Sequence, residues 1–222
     1  MDLHRYIPFE IFADIIINSK LTLISPSQWD DTYEGWFWKA LAQMTEDAEA
    51  KFPETNKLGD FVYHNIYALC WSKNCNSIPM WSVYSYNNKA IMLSTTKEEL
   101  EKIDNIIFRD ITYRDDAAIS IGSVVRTIMS LMNPNLEDII EPFTVKRADF
   151  DFENECRIFC FDSSQKTDKK SHDVSIPNIH DFVKGVMVHP LAPKWYVDII
   201  ESFCKEFALP FEGKSKLYDL NI

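Results

Sequence analysis

The chain has 222 residues, of which 46% are hydrophobic and 14% aromatic, and its formal net charge is −11. This much apolar surface excludes a disordered protein, and no apolar run reaches the about 18 residues that cross a bilayer. An acidic surface repels phosphate backbones, so nucleic acid is not a favoured partner. The start of the chain lacks the basic and long apolar stretches of a secretory signal. We therefore expect a cytoplasmic protein with no membrane partner.

The cysteines predict neither disulfides nor a metal site. They number five, an odd count in a chain of this length, which argues against a disulfide framework. Cys70 with Cys75, and Cys156 with Cys160, lack the two-residue spacing typical of a zinc site. The histidines show no metal-ligand spacing either. We expect core thiols and no bound metal.

The first elements in chain order are a strand, a helix and a second strand. Apolar residues predict the strands over 3–7 and 21–24, and Pro8 suits the first turn of the helix between them. A turn at Ser25-Pro26-Ser27 follows. A longer helix is predicted to begin near Trp38.

The middle of the chain alternates strands with short helices. The predicted elements are a strand over 66–72, a helix over 78–86 and a strand over 90–93. Thr95 and Glu98 have the pattern of a capping box, which predicts a helix through Ile103.

The last elements follow from the spacing of apolar residues. They are a strand over 106–113, a helix over 121–132, strands over 155–161 and 183–188, and a final helix that begins at Pro193.

The order of these elements indicates the fold class. Helices and strands interleave without the regular alternation of a doubly wound sheet, and no Gly-rich phosphate loop is present. There is no internal repeat and no linker. We expect a single globular α+β domain over residues 1–222, with a mixed sheet or two small sheets and peripheral helices.

The segment Phe152 to Phe159 is the sharpest candidate for chemistry. On a strand, alternation places Glu153, Glu155 and Arg157 on one face, while Cys156 and Ile158 pack into the core. Two neighbouring carboxylates repel, which raises one pKa unless a cation such as Arg157 intervenes. Such a pair can act as a general base and as an electrostatic anchor. The structural alternative is a ladder of charges on an exposed face.

Aromatic residues at helical spacing form a second candidate. Trp81 and Tyr84 lie three residues apart on the predicted helix and can stack on a base or a nicotinamide ring. The alternative is that both simply belong to the core.

Two further polar clusters have open interpretations. Asp30, Asp31 and Glu34 follow the Ser-Pro turn and can either bind a metal or cap the next helix. The triplet His4-Arg5-Tyr6 on the first strand can hold a phosphate or a ribose, or can be a surface group near the terminus.

Taken in order, these motifs resemble a bacterial family known as domain of unknown function 2971. The resemblance covers most of the chain and is carried by Arg5-Tyr6, Ser25-Pro26, Trp29 to Glu34, Cys70-Trp71-Ser72, Met80 to Tyr84, Lys146, Phe152 to Arg157, and Lys184-Gly185. The sequence departs from the family at three places. Asp30-Asp31-Thr32 stands for Asn-Asp-Pro, Ala90 lies near a usual Gly, and Phe150 replaces a Trp.

The motif order is in turn similar to that of ADP-ribosyltransferases. This resemblance implies an NAD-using enzyme of a toxin or phage-defence type. It implies Glu155 as the catalytic acid at the ribose and Glu153 as the residue that orients or deprotonates the acceptor. It implies His4 or Arg5 on the ribose or phosphate, and Trp81 or Tyr84 at the nicotinamide. Other ligand-binding candidates are Tyr6, Asp31, Glu34, Lys146 and Arg157.

Two other functions remain open at this point. One is a non-catalytic domain that binds a nucleotide or a protein and tolerates the loss of Glu155. The other is a metal-dependent hydrolase, which requires Asp31, Glu34, Glu153 and Glu155 to converge on one ion. The sequence does not fix the oligomeric state or the acceptor.

Overall fold

The computed structural model describes residues 1–29, 31, 34, 65–114, 139–162 and 169–219. The strands in these ranges are β1 (Asp2–Pro8), β2 (Lys20–Ile24), β3 (Ile66–Ser72), β4 (Ala90–Thr96), β5 (Ile106–Asp110), β6 (Thr112–Arg114), β7 (Val145–Arg147), β8 (Glu155–Phe161), β9 (Ser171–Ser175), β10 (Gly185–Val188) and β11 (Phe211–Lys214).

The helices in the same ranges are short and pack around the strands. They are α1 (Phe9–Asn18), α2 (Ile78–Tyr84), α3 (Lys97–Leu100), α4 (Ile179–Phe182) and α5 (Lys194–Glu206). Single 3₁₀ turns lie at Pro26–Gln28, Tyr86–Asn88, Glu141–Thr144 and Ala148–Glu153.

Nine of the strands form one mixed sheet, and β6 and β7 form a parallel pair beside it. The order in the large sheet is β11-β10-β4-β1-β3-β2-β9, and β8 joins β3 to β5. Strands β10 and β11 are parallel, whereas β1 with β4 and β3 with β8 are antiparallel. The fold class is therefore α+β with a mixed sheet, as the sequence predicts.

The sheet forks between β1 and β3. Strand β1 pairs with β4 along its whole length, and β3 pairs with β8 along its whole length. Between β1 and β3, however, the register contains a single pair, His4 with Ser72. Past that pair no ladder joins the two strands, so side chains from both can border a space between the two branches.

Alternation along β3 and β8 separates the core from this fork. Trp71 and Leu69 on β3, with Cys156 and Ile158 on β8, belong to the main hydrophobic core. Residues of opposite parity, such as Cys70 and Glu155, border the fork. The predicted core face of the strand after Asn154 is confirmed.

Most predicted elements in the described ranges are confirmed within two or three residues. The strand over 66–72 and the strand over 155–161 match the predicted bounds, and α1, α2 and α5 lie where the apolar spacing places them. The predicted helices near Trp38 and over 121–132 lie outside the described residues. The single-domain boundary stays a prediction.

The predicted capping box at Thr95 is wrong by one residue. Pairing of β4 with β1 continues through Thr96, so Thr95 stays in the strand and its buried hydroxyl donates to the carbonyl of Phe182 at 2.6 Å. Thr96 is the N-cap of α3 and accepts from the backbone of Glu99. The helix ends at Leu100, before the predicted Ile103.

The predicted strand over 106–113 divides at Ile111. The backbone N–H of Ile111 still donates to the carbonyl of Glu155, but the N–H of Glu155 donates to the Tyr113 hydroxyl, so the reciprocal bond is missing and the ladder of β5 with β8 ends. Beyond it, Thr112–Arg114 pairs with β7. No helix in the described ranges combines the length and apolarity needed to cross a bilayer.

Candidate functional site

A cavity of about 180 Å³ lies at the fork of the sheet. It is lined by three residues of β1, three of β3, two of α2 and three from the segment that leads into β8: His4, Arg5, Tyr6, Cys70, Trp71, Ser72, Met80, Tyr84, Lys146, Glu153 and Glu155. Seven of the eleven sequence-predicted site residues therefore meet in one place. Asp31, Glu34, Trp81 and Arg157 do not border the cavity.

Arg157 holds Glu155 from behind the cavity wall. Its Nε donates to Glu155 Oε1 at 2.5 Å, and its terminal nitrogen donates to Oε2 at 3.2 Å. The guanidinium also donates to the carbonyl of Phe143 at 2.8 Å and lies 4.4 Å from the ring of Trp29. Because Arg157 is almost fully buried and engaged on every side, it fixes Glu155 and leaves ligand contact to other residues.

Glu153 reaches the same cavity by a different route. It ends the 3₁₀ turn before β8, and Asn154 then adopts a left-handed conformation with φ 43°. Glu153 therefore lies outside the strand predicted over 155–161, and strand alternation does not place it on one face with Glu155. Its carboxylate nevertheless meets Glu155, because Lys146 donates to Glu153 at 2.5 Å and to Glu155 at 3.1 Å. The hydroxyl of Tyr84 donates to the other oxygen of Glu153 at 2.6 Å.

Three carboxylates converge on the ammonium of Lys146. Glu34 Oε1 lies 3.2 Å from Lys146 Nζ, and Glu34 Oε2 accepts from Arg157 at 2.9 Å. The convergence that a metal-dependent hydrolase needs is present for three of its four candidates, but at its centre lies a lysine ammonium. Among the described residues no group of three or more ligand side chains is arranged for a metal. Asp31 pairs with Arg147 at 3.1 Å instead.

The two neighbouring glutamates have opposite pKa shifts. Burial disfavours both charges, but Arg157 and Lys146 outweigh it at Glu155 and lower its pKa to about 2. At Glu153 burial outweighs Lys146 and Tyr84, so its pKa is raised above the ordinary value. Environments that push two carboxyl pKa values apart are typical of sites where one group stays charged and the other exchanges protons.

Arg5 is the one cavity cation with no carboxylate partner in the described part of the chain. No hydrogen bond or ion pair joins its guanidinium to another described residue, although Lys146 in the same cavity has three partners. Burial lowers its pKa to about 10, so it stays charged at neutral pH. An unpaired guanidinium inside a cavity is suited to a phosphate or carboxylate of a ligand.

The other two residues of the His4-Arg5-Tyr6 triplet are held by protein partners. His4 Nδ1 lies 2.9 Å from Ser94 Oγ, and burial lowers the His4 pKa, which keeps the ring neutral at pH 7. The Tyr6 hydroxyl donates to the carbonyl of Asn74 and accepts from the backbone of Ser77. The triplet is thus no surface group, and its middle residue is the one with free donors.

Trp81 and Tyr84 have separate roles on α2. Trp81 is 1% exposed, its indole N–H donates to Asn76 at 2.9 Å, and the ring of Tyr6 packs edge-on against it at 4.7 Å. It anchors the helix and does not border the cavity. Tyr84 is 41% exposed and points to Glu153. The core interpretation fits Trp81, and the ligand-binding prediction remains open for Tyr84.

Sequence reasoning missed five residues of the site, namely the lining residues Cys70, Trp71, Ser72 and Met80, and Tyr113, which bonds to Glu155. Cys70 faces Glu155, but burial raises its pKa, which keeps the thiol protonated. Tyr113 holds the start of β8, because its hydroxyl accepts a hydrogen bond from the backbone N–H of Glu155 at 2.7 Å. Met80 adds an apolar wall one turn before Tyr84. The period-two pattern of β3 is a signal for Cys70, whereas no local pattern points to Tyr113.

Comparison with known proteins places this chain in no family. No family model and no curated protein matches it, so the resemblance to domain of unknown function 2971 stays a prediction. Among solved structures it is similar to Thermus sp. 2.9 DarT in complex with ADP-ribosylated ssDNA, at 10% identity and a TM-score of 0.39, over 95% of this chain and 92% of that one. It is also similar to Thermus sp. 2.9 DarT in complex with carba-NAD+, at 8% identity and the same TM-score, over 95% and 93%. Both similarities are low, and the chemistry inferred below depends on the cavity of this chain.

Proposed function

We propose that this protein is an NAD-using enzyme that transfers ADP-ribose to an acceptor. The observation that carries the proposal is the combination, in one cavity, of a charged Glu155, a Glu153 whose pKa is raised by burial, and the unpaired cation Arg5. NAD is a dianionic diphosphate attached to a ring that departs from a sugar carbon as positive charge develops there. Arg5 suits the diphosphate, Glu155 suits the developing positive charge, and Glu153 suits the proton that the acceptor gives up.

Glu155 would oppose the developing positive charge. Its pKa of about 2 keeps it ionised at any physiological pH, and Arg157 and Lys146 hold it in place. A fixed charge aimed at the charge of a transition state is worth roughly 10²–10³ in rate. This is the role that the motif resemblance implies for Glu155.

Glu153 would take the proton of the acceptor. As the acceptor atom bonds to the ribosyl carbon, the bond from that carbon to the nicotinamide nitrogen breaks and nicotinamide leaves neutral. The acceptor's proton passes to the Glu153 carboxylate, and the raised pKa of that carboxyl suits a group that gains a proton. Tyr84, which donates to Glu153, would border the nicotinamide ring.

Arg5 would bind the diphosphate. Its donors have no protein partner in the described ranges, and a guanidinium fits phosphate oxygens in a two-point contact. The carba-NAD+ and ADP-ribosylated ssDNA in the DarT structures belong to those proteins. The acceptors to be tested with this protein are single-stranded DNA, proteins and small molecules. The toxin or phage-defence role stays part of the proposal.

A second candidate function is a non-catalytic nucleotide sensor. It is favoured by the number of protein contacts to Glu155, whose two oxygens already accept from Arg157 and Lys146. A structural ion pair of this kind needs no reaction to explain it. Such a sensor would bind NAD through Arg5 and release no nicotinamide.

The test is NAD binding by calorimetry together with nicotinamide release, for the wild type, Glu155→Gln and Glu153→Gln. We expect all three to bind NAD. Release should fall about 10²–10³-fold in Glu155→Gln. In Glu153→Gln the transfer to an acceptor should fall by about 10²-fold or more, while slow release to water persists.

Glu99→Gln is the matched control, because Glu99 is an ion-paired carboxylate that lies outside the cavity. It should turn over NAD at the wild-type rate. Binding without release in the wild type would favour the sensor. Absence of NAD binding at millimolar ligand in folded wild-type protein would overturn both candidates.

A further inference from the structure

A second cavity, of about 500 Å³, adjoins the first at Tyr84. It lies where β1 passes into α1 and is lined on one side by Pro8 and Glu10 and on the other by Tyr86, Lys89 and Trp195. Tyr86 is 88% exposed and Trp195 is 54% exposed. Two large, solvent-exposed aromatic rings around one groove are unusual at the surface of a protein. They offer a flat apolar group a surface on which it can stack.

Contacts within the protein hold the groove in shape. Asn87 and Asn88 adopt positive φ angles of 54° and 58°, which form the tight turn that presents Tyr86. The hydroxyl of Tyr196 donates to the carbonyl of Lys89 at 2.5 Å and fixes the end of that turn against α5. The Lys89 ammonium lies 4.9 Å from the ring of Trp195.

The two cavities follow one another along β1. Tyr6 borders the first and Pro8, two residues further along β1, borders the second. An extended strand advances about 3.3 Å per residue, so about 7 Å separates these two residues. A dinucleotide whose nicotinamide end lies in the first cavity can therefore extend into the second.

The sizes of the cavities agree with a ligand that has two rings. A pocket that encloses a whole drug-sized ligand measures about 300–1,000 Å³. The first cavity, at about 180 Å³, is below this range and accommodates one ring with part of its sugar. The remainder of a dinucleotide must leave through the mouth beside Tyr84.

We infer that the groove between Tyr86 and Trp195 binds the adenine of the same NAD molecule whose nicotinamide end occupies the first cavity. The inference rests on the proposed function. Adenine would stack on the exposed rings, and its exocyclic amine would donate to the carboxylate of Glu10, which borders the groove. Lys89 is placed to meet a phosphate of the adenosine half.

The test separates the two halves of the ligand. Calorimetry is run with AMP, nicotinamide mononucleotide and NAD on the wild type, Trp195→Ala, Tyr86→Ala and the control Tyr218→Ala. Tyr218 is 48% exposed and borders neither cavity, so it matches the loss of an exposed ring. Stacking on one aromatic side chain predicts that Trp195→Ala and Tyr86→Ala each weaken AMP at least about fivefold. Nicotinamide mononucleotide should bind all four proteins equally.

Each other outcome has a definite meaning. If nicotinamide mononucleotide binds and NAD is turned over, but AMP binding and the KM for NAD are unchanged in Trp195→Ala, the adenine inference is overturned and the proposed function stands. If Trp195→Ala lowers affinity for an acceptor and leaves AMP unaffected, the groove is an acceptor site and the inference is overturned. If neither NAD nor nicotinamide mononucleotide binds, the proposed function fails and this inference fails with it. Circular dichroism of the variants establishes that each is folded.

Discussion

Glu153 and Glu155 are identical side chains two residues apart, yet their partners give them opposite protonation behaviour. Glu155 receives two donors from Arg157 and one from Lys146, which outweigh the cost of burial. Glu153 receives one cation and one neutral hydroxyl, which do not. The opposite pKa shifts of the two glutamates therefore follow from where the two cations lie.

Replacing Glu155 by Gln tests this assignment through stability. Removing the charge of Glu155 leaves Arg157 and Lys146 with fewer carboxylate partners. Loss of one partner of a buried ion pair costs up to about 3–5 kcal/mol. The folded pKa of about 2 lies below the unfolded value of about 4.3. The stabilisation is therefore present above about pH 4.3 and is lost as pH falls towards 2. We expect the difference in free energy of unfolding between wild type and Glu155→Gln to be largest at pH 7 and to shrink below pH 4.

The measurement is urea denaturation of both proteins across pH 3–7. Glu99→Gln is the comparison, because Glu99 also has a pKa lowered by lysine partners but lies near the surface. Its loss should cost less than about 1 kcal/mol at neutral pH. If the difference in free energy of unfolding between wild type and Glu155→Gln stays constant down to pH 3, Arg157 does not lower the pKa of Glu155.

At the scale of elements, the turn that enters β8 decides whether Glu153 reaches the cavity. The six residues Ala148–Glu153 form a 3₁₀ helix, and Asn154 then adopts a left-handed conformation with φ 43° and ψ 56°. Asn74 ties the turn to β3, since its side chain donates to the carbonyl of Phe152 at 2.6 Å. If residue 154 were extended instead of left-handed, β8 would begin before residue 155. Glu153 would then lose its ion pair with Lys146.

Substitutions of Asn154 test the dependence of the site on this turn. Gly adopts the left-handed region freely, so Asn154→Gly should stay within about 1 kcal/mol of wild type and keep its activity. Val meets a steric penalty of roughly 1–2 kcal/mol there. Asn154→Val should therefore lose stability and, with Glu153 displaced, lose transfer to the acceptor more than NAD binding. Thermal unfolding and single-turnover assays measure the two effects, and equal transfer rates in both variants would contradict the role of the turn.

At the scale of the whole molecule, the forked sheet keeps the cavity open, and the net charge affects which ligands approach it. A continuous ladder between β1 and β3 would close the cavity, and the single pair of His4 with Ser72 leaves it open. The formal charge of −11 repels an anionic ligand over long distances. In the proposed function, Arg5 supplies the local attraction that offsets this repulsion.

Arg5→Gln tests this local attraction. Charge-assisted hydrogen bonds contribute about 1.5–3 kcal/mol each, which predicts a weakening of NAD binding by roughly 10- to 150-fold. Lys184→Gln changes the net charge equally but removes a cation that pairs with Glu99 away from both cavities. It should leave the Kd for NAD within about twofold. Equal weakening in the two variants, measured by calorimetry at low salt, would show that net charge and not the Arg5 contact governs binding.

The sequence by itself determined what depends on local pattern. The period of two along residues 155–161 identified the core face and paired Arg157 with Glu155, and the apolar spacing of α1 and α5 located both helices. The interpretation failed where a neighbouring strand changes a local preference. Thr95 stays in β4 because β1 pairs with it, and the strand over 106–113 divides at Ile111 because the Glu155 N–H donates to the Tyr113 hydroxyl.

Only the tertiary structure decided which polar residues share one cavity. Lys146, Glu34 and Tyr84 are distant from Glu155 in sequence or lie on other elements, and no periodicity links them. Sequence periodicity also does not show the opposite pKa shifts of Glu153 and Glu155. The same is true of the unpaired state of Arg5 and of the aromatic groove beside Tyr84. The physical reason is that burial and charge at a site are set by whatever packs around it, and in this protein the fork of the sheet brings those neighbours together.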